Sequence, residues 1–140
     1  ELPPPTPSLA KPQLPTCRYS ALDDYSLTHN TAGVELLNQD RFASALETFE
    51  DALRINPESA EILNNIGIAY LRMGAPQKGE KYMKKALSAE PGRLDIHSNY
   101  GCVLYSQGKS QQACSEWEMV SKQDAAYKDA AANKLNFCRQ

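Results

Sequence analysis

A period of 34 residues constrains this chain more than any other feature. Gly33, Gly67 and Gly101 are 34 apart, and so are Leu36, Tyr70 and Leu104. Ala45, Gly79 and Ala113 form a third column, Phe49, Met83 and Trp117 a fourth, and Ala52, Ala86 and Val120 a fifth. Pro57 and Pro91 keep the spacing, with Ala125 where a third proline would fall. A sequence that returns to the same small and large residues at a fixed interval builds one supersecondary unit several times. Each such unit buries its apolar face only by stacking on the next.

Helical periodicity fills the units. Phe42, Ala45, Leu46, Phe49, Ala52 and Leu53 fall on one stripe of a helix over about 42–55, and a helix over about 26–38 precedes it. Small residues at Gly33 and Ala45 let these two backbones approach, and Phe49 is expected to fill the space toward the next helix. In the second unit Gly74 ends the first helix and Pro76 sits in the first turn of the second, where its missing N–H costs nothing. Gly79 in mid-helix costs about 1 kcal/mol of propensity, so it predicts an unusually close contact. The third unit runs over about 94–123, with Gly108 at its inner turn and Trp117 as its large filler. Tyr127, Ala130, Ala131, Lys134, Leu135 and Cys138 recur at helical spacing. They predict a seventh helix that covers the face the last hairpin leaves open.

These columns resemble the tetratricopeptide repeat family from about Ser26 to the C-terminus. The resemblance implies an all-α fold, a right-handed superhelical array of three tetratricopeptide helix hairpins at about 26–59, 60–93 and 94–127. A seventh, capping helix over about 127–138 completes it. It also implies that the first helix of each repeat lines an inner wall. Read by column, that wall carries Asn30, Asn64 and Ser98, then Val34, Ile68 and Cys102, then Leu37, Leu71 and Tyr105. This is an apolar ladder edged with amides, a candidate groove for a partner peptide or helix. It lacks the lysine and arginine with which some members of the family hold a chaperone's acidic C-terminus. His29 and His97 share a column where the family places a large half-buried side chain, and both read as structural.

Residues 1–25 read as a separate segment. Six prolines lie within the first fifteen positions, which forbids helix. The segment reads as a tether or spacer, with a proline-rich ligand as the other reading. The four cysteines are Cys17, Cys102, Cys114 and Cys138, with no C-x-x-C pair and no histidine at ligand spacing, so no metal site is expected. Cys114 and Cys138 are symmetric about residue 126, and positions symmetric about a hairpin turn lie side by side. Cys102 and Cys114 are likewise symmetric about Gly108, so that pairing competes. If Cys114 takes Cys138, Cys17 is left for Cys102.

Chemistry is harder to find. No glycine-rich phosphate loop, no G-x-S-x-G elbow and no defensible cysteine–histidine pair is present. The chain is therefore expected to be no enzyme, to need no cofactor and to take no small-molecule substrate. A net charge of −2 and a pI near 5.7 argue against nucleic acid and against an anionic membrane surface. No apolar run is long enough to span a bilayer. Lys78, Lys81, Lys84 and Lys85 read as a solvated outer face.

What remains is a protein–protein interaction scaffold. NNIGIAYLRMG and SNYGCVLYSQGKSQQA are similar to stretches of the small, pilotin-like tetratricopeptide lipoproteins of bacterial pilus and tight-adherence secretion systems. That resemblance implies the periplasmic face of the outer membrane, an anchor upstream of Glu1, and a secretin or pilus component as partner. Paired cysteines suit such an oxidising compartment. Two alternatives stand beside it: a cytosolic adaptor or co-chaperone with reduced cysteines, and a self-assembling structural module.

Overall fold

A computed structural model describes the backbone over residues 17–138 and the side chains over 26–138. The proline-rich segment and its tether role lie outside the described residues, as does the side chain of Cys17. The described residues form seven helices and no strand: α1 (Cys17–Asn38), α2 (Phe42–Ile55), α3 (Ala60–Arg72), α4 (Pro76–Ala89), α5 (Leu94–Ser106), α6 (Ser110–Gln123) and α7 (Lys128–Phe137). The fold is all-α, as the pattern predicts. One boundary differs. α1 begins at Cys17 rather than near Ser26, because no proline lies between Pro15 and Asn38 to stop the helix from extending backwards.

The helices pair as α1–α2, α3–α4 and α5–α6, and each hairpin packs its second helix on the first helix of the next. First helices also meet one another, α1 with α3 and α3 with α5, whereas no comparable contact joins α2 to α4 or α4 to α6. Contact on one side only bends the stack, so α1, α3 and α5 line its inner side. No helix among the described residues is long and apolar enough to cross a membrane.

The hairpin turns repeat in detail. Arg41 N–H donates to Leu36 O at 2.9 Å, Ala75 N–H to Tyr70 O at 2.9 Å, and Lys109 N–H to Leu104 O at 3.0 Å. Closing each turn this way needs a left-handed residue, and Asp40 (φ 60°), Gly74 (φ 81°) and Gly108 (φ 82°) supply it, 34 apart. The two later hairpins use glycine, which takes this conformation freely.

Inside the hairpins the small columns work by making room. A Cβ at Gly33 would stand 2.9 Å from Phe49 Cζ and closer to two more ring atoms. Phe49 thus packs on Gly33 within its own hairpin while also joining Ile62 and Ile66 of α3 in one buried cluster. Gly101 makes room in the same way for Trp117. In the middle hairpin a Cβ at Gly79 would come within 2.8 Å of the Gly67 carbonyl oxygen, so two backbones are in contact, the approach that a mid-helix glycine predicts. Phe49, Met83 and Trp117 are all essentially fully buried. His97 is structural too: its Nδ1 lies 2.7 Å from Glu116 Oε1 and its Nε2 lies 2.8 Å from Pro91 O.

α7 packs on α6 with part of the face the pattern assigns. Ala130 is buried, and Tyr127, Lys134 and Cys138 are half-buried, yet Ala131 is exposed and Leu135 is 77% exposed. No further helix lies on that side among the described residues. Cys138 is the C-cap rather than the last helical turn. Cys114 and Cys138 are joined by a disulfide, with Cα atoms 5.8 Å apart. Cys102 carries a free thiol, so the competing Cys102–Cys114 pairing does not form, and the Cys17 side of a Cys17–Cys102 pairing lies outside the described residues. The Cys102 side chain instead faces α7, where Asn133 Nδ2 approaches its Sγ at 3.8 Å.

Candidate functional site

The inner wall is built from the residues of α1, α3 and α5, and its polar half is wired together. Asn65 Nδ2 donates to Asn30 Oδ1 across α3 and α1 at 2.8 Å, and Asn99 Nδ2 donates to Asn64 Oδ1 across α5 and α3 at 3.1 Å. Asn64 Nδ2 donates in turn to Asn65 Oδ1 at 3.3 Å. The four amides form one chain spanning three helices. Asn30, Asn64 and Asn65 are buried, and a buried amide is stable only when its partners are present. The amides are thus spent largely on one another, a different role from the partner-facing rim that their columns predict. Asn65 and Asn99 were not among the expected wall residues, although their 34-residue spacing, continued by Asn133, is visible in the sequence.

The apolar half sits one and two turns further along the same helices. Val34 and Leu37 follow Asn30 at i+4 and i+7, and Ile68 and Leu71 follow Asn64 at the same offsets, so each set shares a face with its amide. Val34, Ile68, Leu71 and Cys102 are half-buried. Leu37 is 5% exposed and belongs to the core, and Ser98 is likewise buried, its carbonyl accepting from Trp117 Nε1 at 3.0 Å. The structure therefore leaves Val34, Ile68, Leu71 and Cys102 half-buried, a strip by column across the three first helices, and withdraws Leu37, Asn30, Asn64 and Ser98 into the interior.

Tyr105 closes the strip. It is 38% exposed, and its ring lies 5.0 Å from the Phe137 ring and 6.0 Å from that of Trp117. Phe137, itself 47% exposed, is a wall residue the column pattern could not supply, because it comes from α7 rather than from a repeat's first helix.

The edge of the wall is acidic. Arg93 sits among Asp95 (2.8 Å), Glu90 (3.1 Å) and Glu61 (3.3 Å), which hold its guanidinium charged and leave it little capacity for another anion. The hydrogen bond from Arg93, against some burial, keeps the Asp95 carboxyl below its ordinary range. Arg72 Nη1 donates to Leu37 O at 3.4 Å. On the opposite face, Glu80 braces the second and third hairpins: Gln107 Nε2 and Lys109 Nζ donate to it at 2.8 and 3.1 Å, and Tyr100 Oη at 3.3 Å. Burial pushes the Glu80 carboxyl up, but these donors and the charges of Lys109 and Lys84 outweigh it and hold it low. Burial and Glu80 push the Tyr100 phenol up to about 12. Among the described residues no three metal-ligating side chains converge.

The repeats and the helix-hairpin array agree with comparison to known proteins. A family model described as tetratricopeptide repeat matches residues 30–93. These residues are tetratricopeptide repeats. The whole array has the fold of such domains: the first tetratricopeptide domain of Spaghetti (RPAP3) bound to the HSP90 peptide SRMEEVD superposes with a TM-score of 0.76 at 16% identity, over 82% of this chain and 91% of that one. PilF of Pseudomonas aeruginosa also gives 0.76, at 22% identity, over 81% of this chain and 52% of that one. In sequence the chain is 34% identical over 64 residues, 46% of its length, to cellulose synthase operon protein C of Komagataeibacter xylinus, of which it spans 5%. The chain thus spans only a small part of that relative, and the resemblance to PilF is one of fold.

Proposed function

We propose that this tetratricopeptide domain is a non-catalytic scaffold that holds a partner polypeptide along Val34, Ile68, Leu71, Cys102 and Tyr105. The observation that carries the reading is this half-buried apolar strip, which runs across three helices of the inner wall and ends on the exposed Tyr105 and Phe137 rings. Apolar surface gathered along a concave wall, above a rigid amide network, suits the apolar face of an amphipathic helix.

The RPAP3 domain was solved with the peptide SRMEEVD, whose C-terminal half is acidic. The wall here favours a different class of partner. Glu61 and Asp95 stand at its edge, and Arg93 is engaged by carboxylates of its own chain. A second acidic chain brought there meets like charge. This favours an assembly role over the chaperone adaptor. A pilotin-like function, with a secretin or pilus component as partner at the periplasmic face of the outer membrane, is the form of that role we favour, supported by the disulfide and the PilF-like fold.

Titration of the full chain with an amphipathic helical peptide and, separately, with SRMEEVD tests the groove. The first is expected to bind and the second not. Leu71→Glu is expected to abolish the binding while leaving helicity and melting temperature nearly unchanged. Undiminished binding by the variant would show that the strip is not the site.

A further inference from the structure

We propose that the Cys114–Cys138 disulfide is a redox-controlled latch on α7, and that reducing it frees this helix from Trp117 and Tyr105. The consequence for partners rests on the groove reading above, because Tyr105 and Phe137 form one end of that groove.

Besides the disulfide, α7 is held by few buried groups: Ala130, the half-buried Tyr127 and the Phe137 ring against Tyr105. It has ten residues, too few for a helix to persist without tertiary support. Ala130 is its one fully buried side chain, while Leu135 and Phe137 are 77% and 47% exposed. No side chain caps its N-terminus. The Lys134–Glu118 pair, at 2.9 Å, has both side chains 43% exposed, and pairs in such a setting contribute little. The disulfide acts at the C-terminal end of the helix. Cys138 follows Phe137 directly, so the covalent bond to α6 fixes the Phe137 ring against Tyr105 and 6.2 Å from Trp117.

The bond is also within reach of solvent. Cys114 and Cys138 line an open cleft of about 590 Å³ together with Ser110, Gln111, Ser115 and Lys134. Cys138 lines a second, of about 770 Å³, with Ser121, Ala131 and Leu135. A small dithiol can approach from either side. Its thiolate attacks one sulfur and displaces the other as a thiolate. Its second thiol, as thiolate, then attacks the reductant sulfur of the mixed disulfide and expels the remaining protein sulfur as a thiolate, both protein thiolates taking up protons. The protein bond gains two electrons, and the dithiol becomes a cyclic disulfide. Cys102 is a bystander to this exchange, since burial and the nearby Asp129 push its thiol up and favour the protonated form.

Hydrogen exchange and Trp117 fluorescence on the full chain, before and after dithiothreitol, test the latch. Trp117 is the sole tryptophan of the chain and is 1% exposed. Closing a loop of this length is worth a factor of roughly 300 in the opening equilibrium. Amides of residues 128–137 are therefore expected to lose protection about 300-fold, the Trp117 emission to move to longer wavelength, and α2 to α5 to keep their protection. Cys138→Ser should reproduce this without reductant, and Cys102→Ser should behave as the wild type does. Full protection of α7 after thiol titration shows both sulfurs reduced would overturn the proposal, as would equal loss from every helix. If the amphipathic peptide binds both redox states equally, the latch does not control the groove. If it binds neither, the groove reading fails, while the exchange data still decide the latch.

Discussion

The middle and last hairpins use the same columns to opposite ends. Gly67 and Gly79 bring two backbones into contact, and the middle hairpin has a neighbour on each side to hold it. The last hairpin places Trp117 on Gly101, extends the packing through Tyr105 and Phe137, and is joined to α7 by a disulfide. A unit enclosed by like units is held by fit alone. The last hairpin has a single helix rather than another hairpin on its far side, and there a large aromatic cluster and a covalent bond add to the packing.

The contrast can be broken most severely at Trp117. Trp117→Ala is expected to lower stability by about 3–5 kcal/mol, because it removes the largest buried side chain and its bond to Ser98 O. Chemical denaturation followed by circular dichroism measures this, and a loss below 1 kcal/mol would mean that the last hairpin does not depend on its aromatic centre. Next in size is Gly79→Ala. Its Cβ meets a backbone carbonyl, which cannot rotate away, so a loss of about 1–3 kcal/mol is expected despite the better helix propensity of alanine. A stabilised variant would show that the two backbones can part at no cost.

The smallest effect concerns the brace between the two hairpins. Glu80 and Asp95 are both held below their ordinary values, so the folded state binds protons more weakly than the unfolded chain does. Their contribution is present above about pH 4 and is lost as pH falls through the folded values. Glu80→Gln is expected to cost about 1 kcal/mol at pH 7 and to flatten the acid limb of stability against pH. An unchanged acid limb would leave Glu80 no role in joining the hairpins.

Much of this was legible in the sequence, for reasons particular residues make plain. The glycine and filler columns had to recur because each hairpin repeats one contact, and Gly79 in mid-helix announced its close approach. The symmetry of Cys114 and Cys138 about the turn anticipated their bond. The rival pairing had equal symmetry, and what separated them was that Cys102 turns toward α7. The wall was only half legible. Columns show which helix face a residue occupies, yet Asn64 and Leu37 share the inner helices with Ile68 and are buried all the same. Phe137 was invisible to the period because it reaches the groove from a helix that is not one of the hairpins.

Leu135 shows where that regularity stops. It stands 34 residues after Gly101, in the column that makes room for Phe49, Met83 and Trp117 in the hairpins before it. Its side chain is instead 77% exposed. Where the hairpins have a hydrogen atom beneath their filler, α7 has an isobutyl group, so a following helix could not seat a large ring there as Trp117 seats on Gly101.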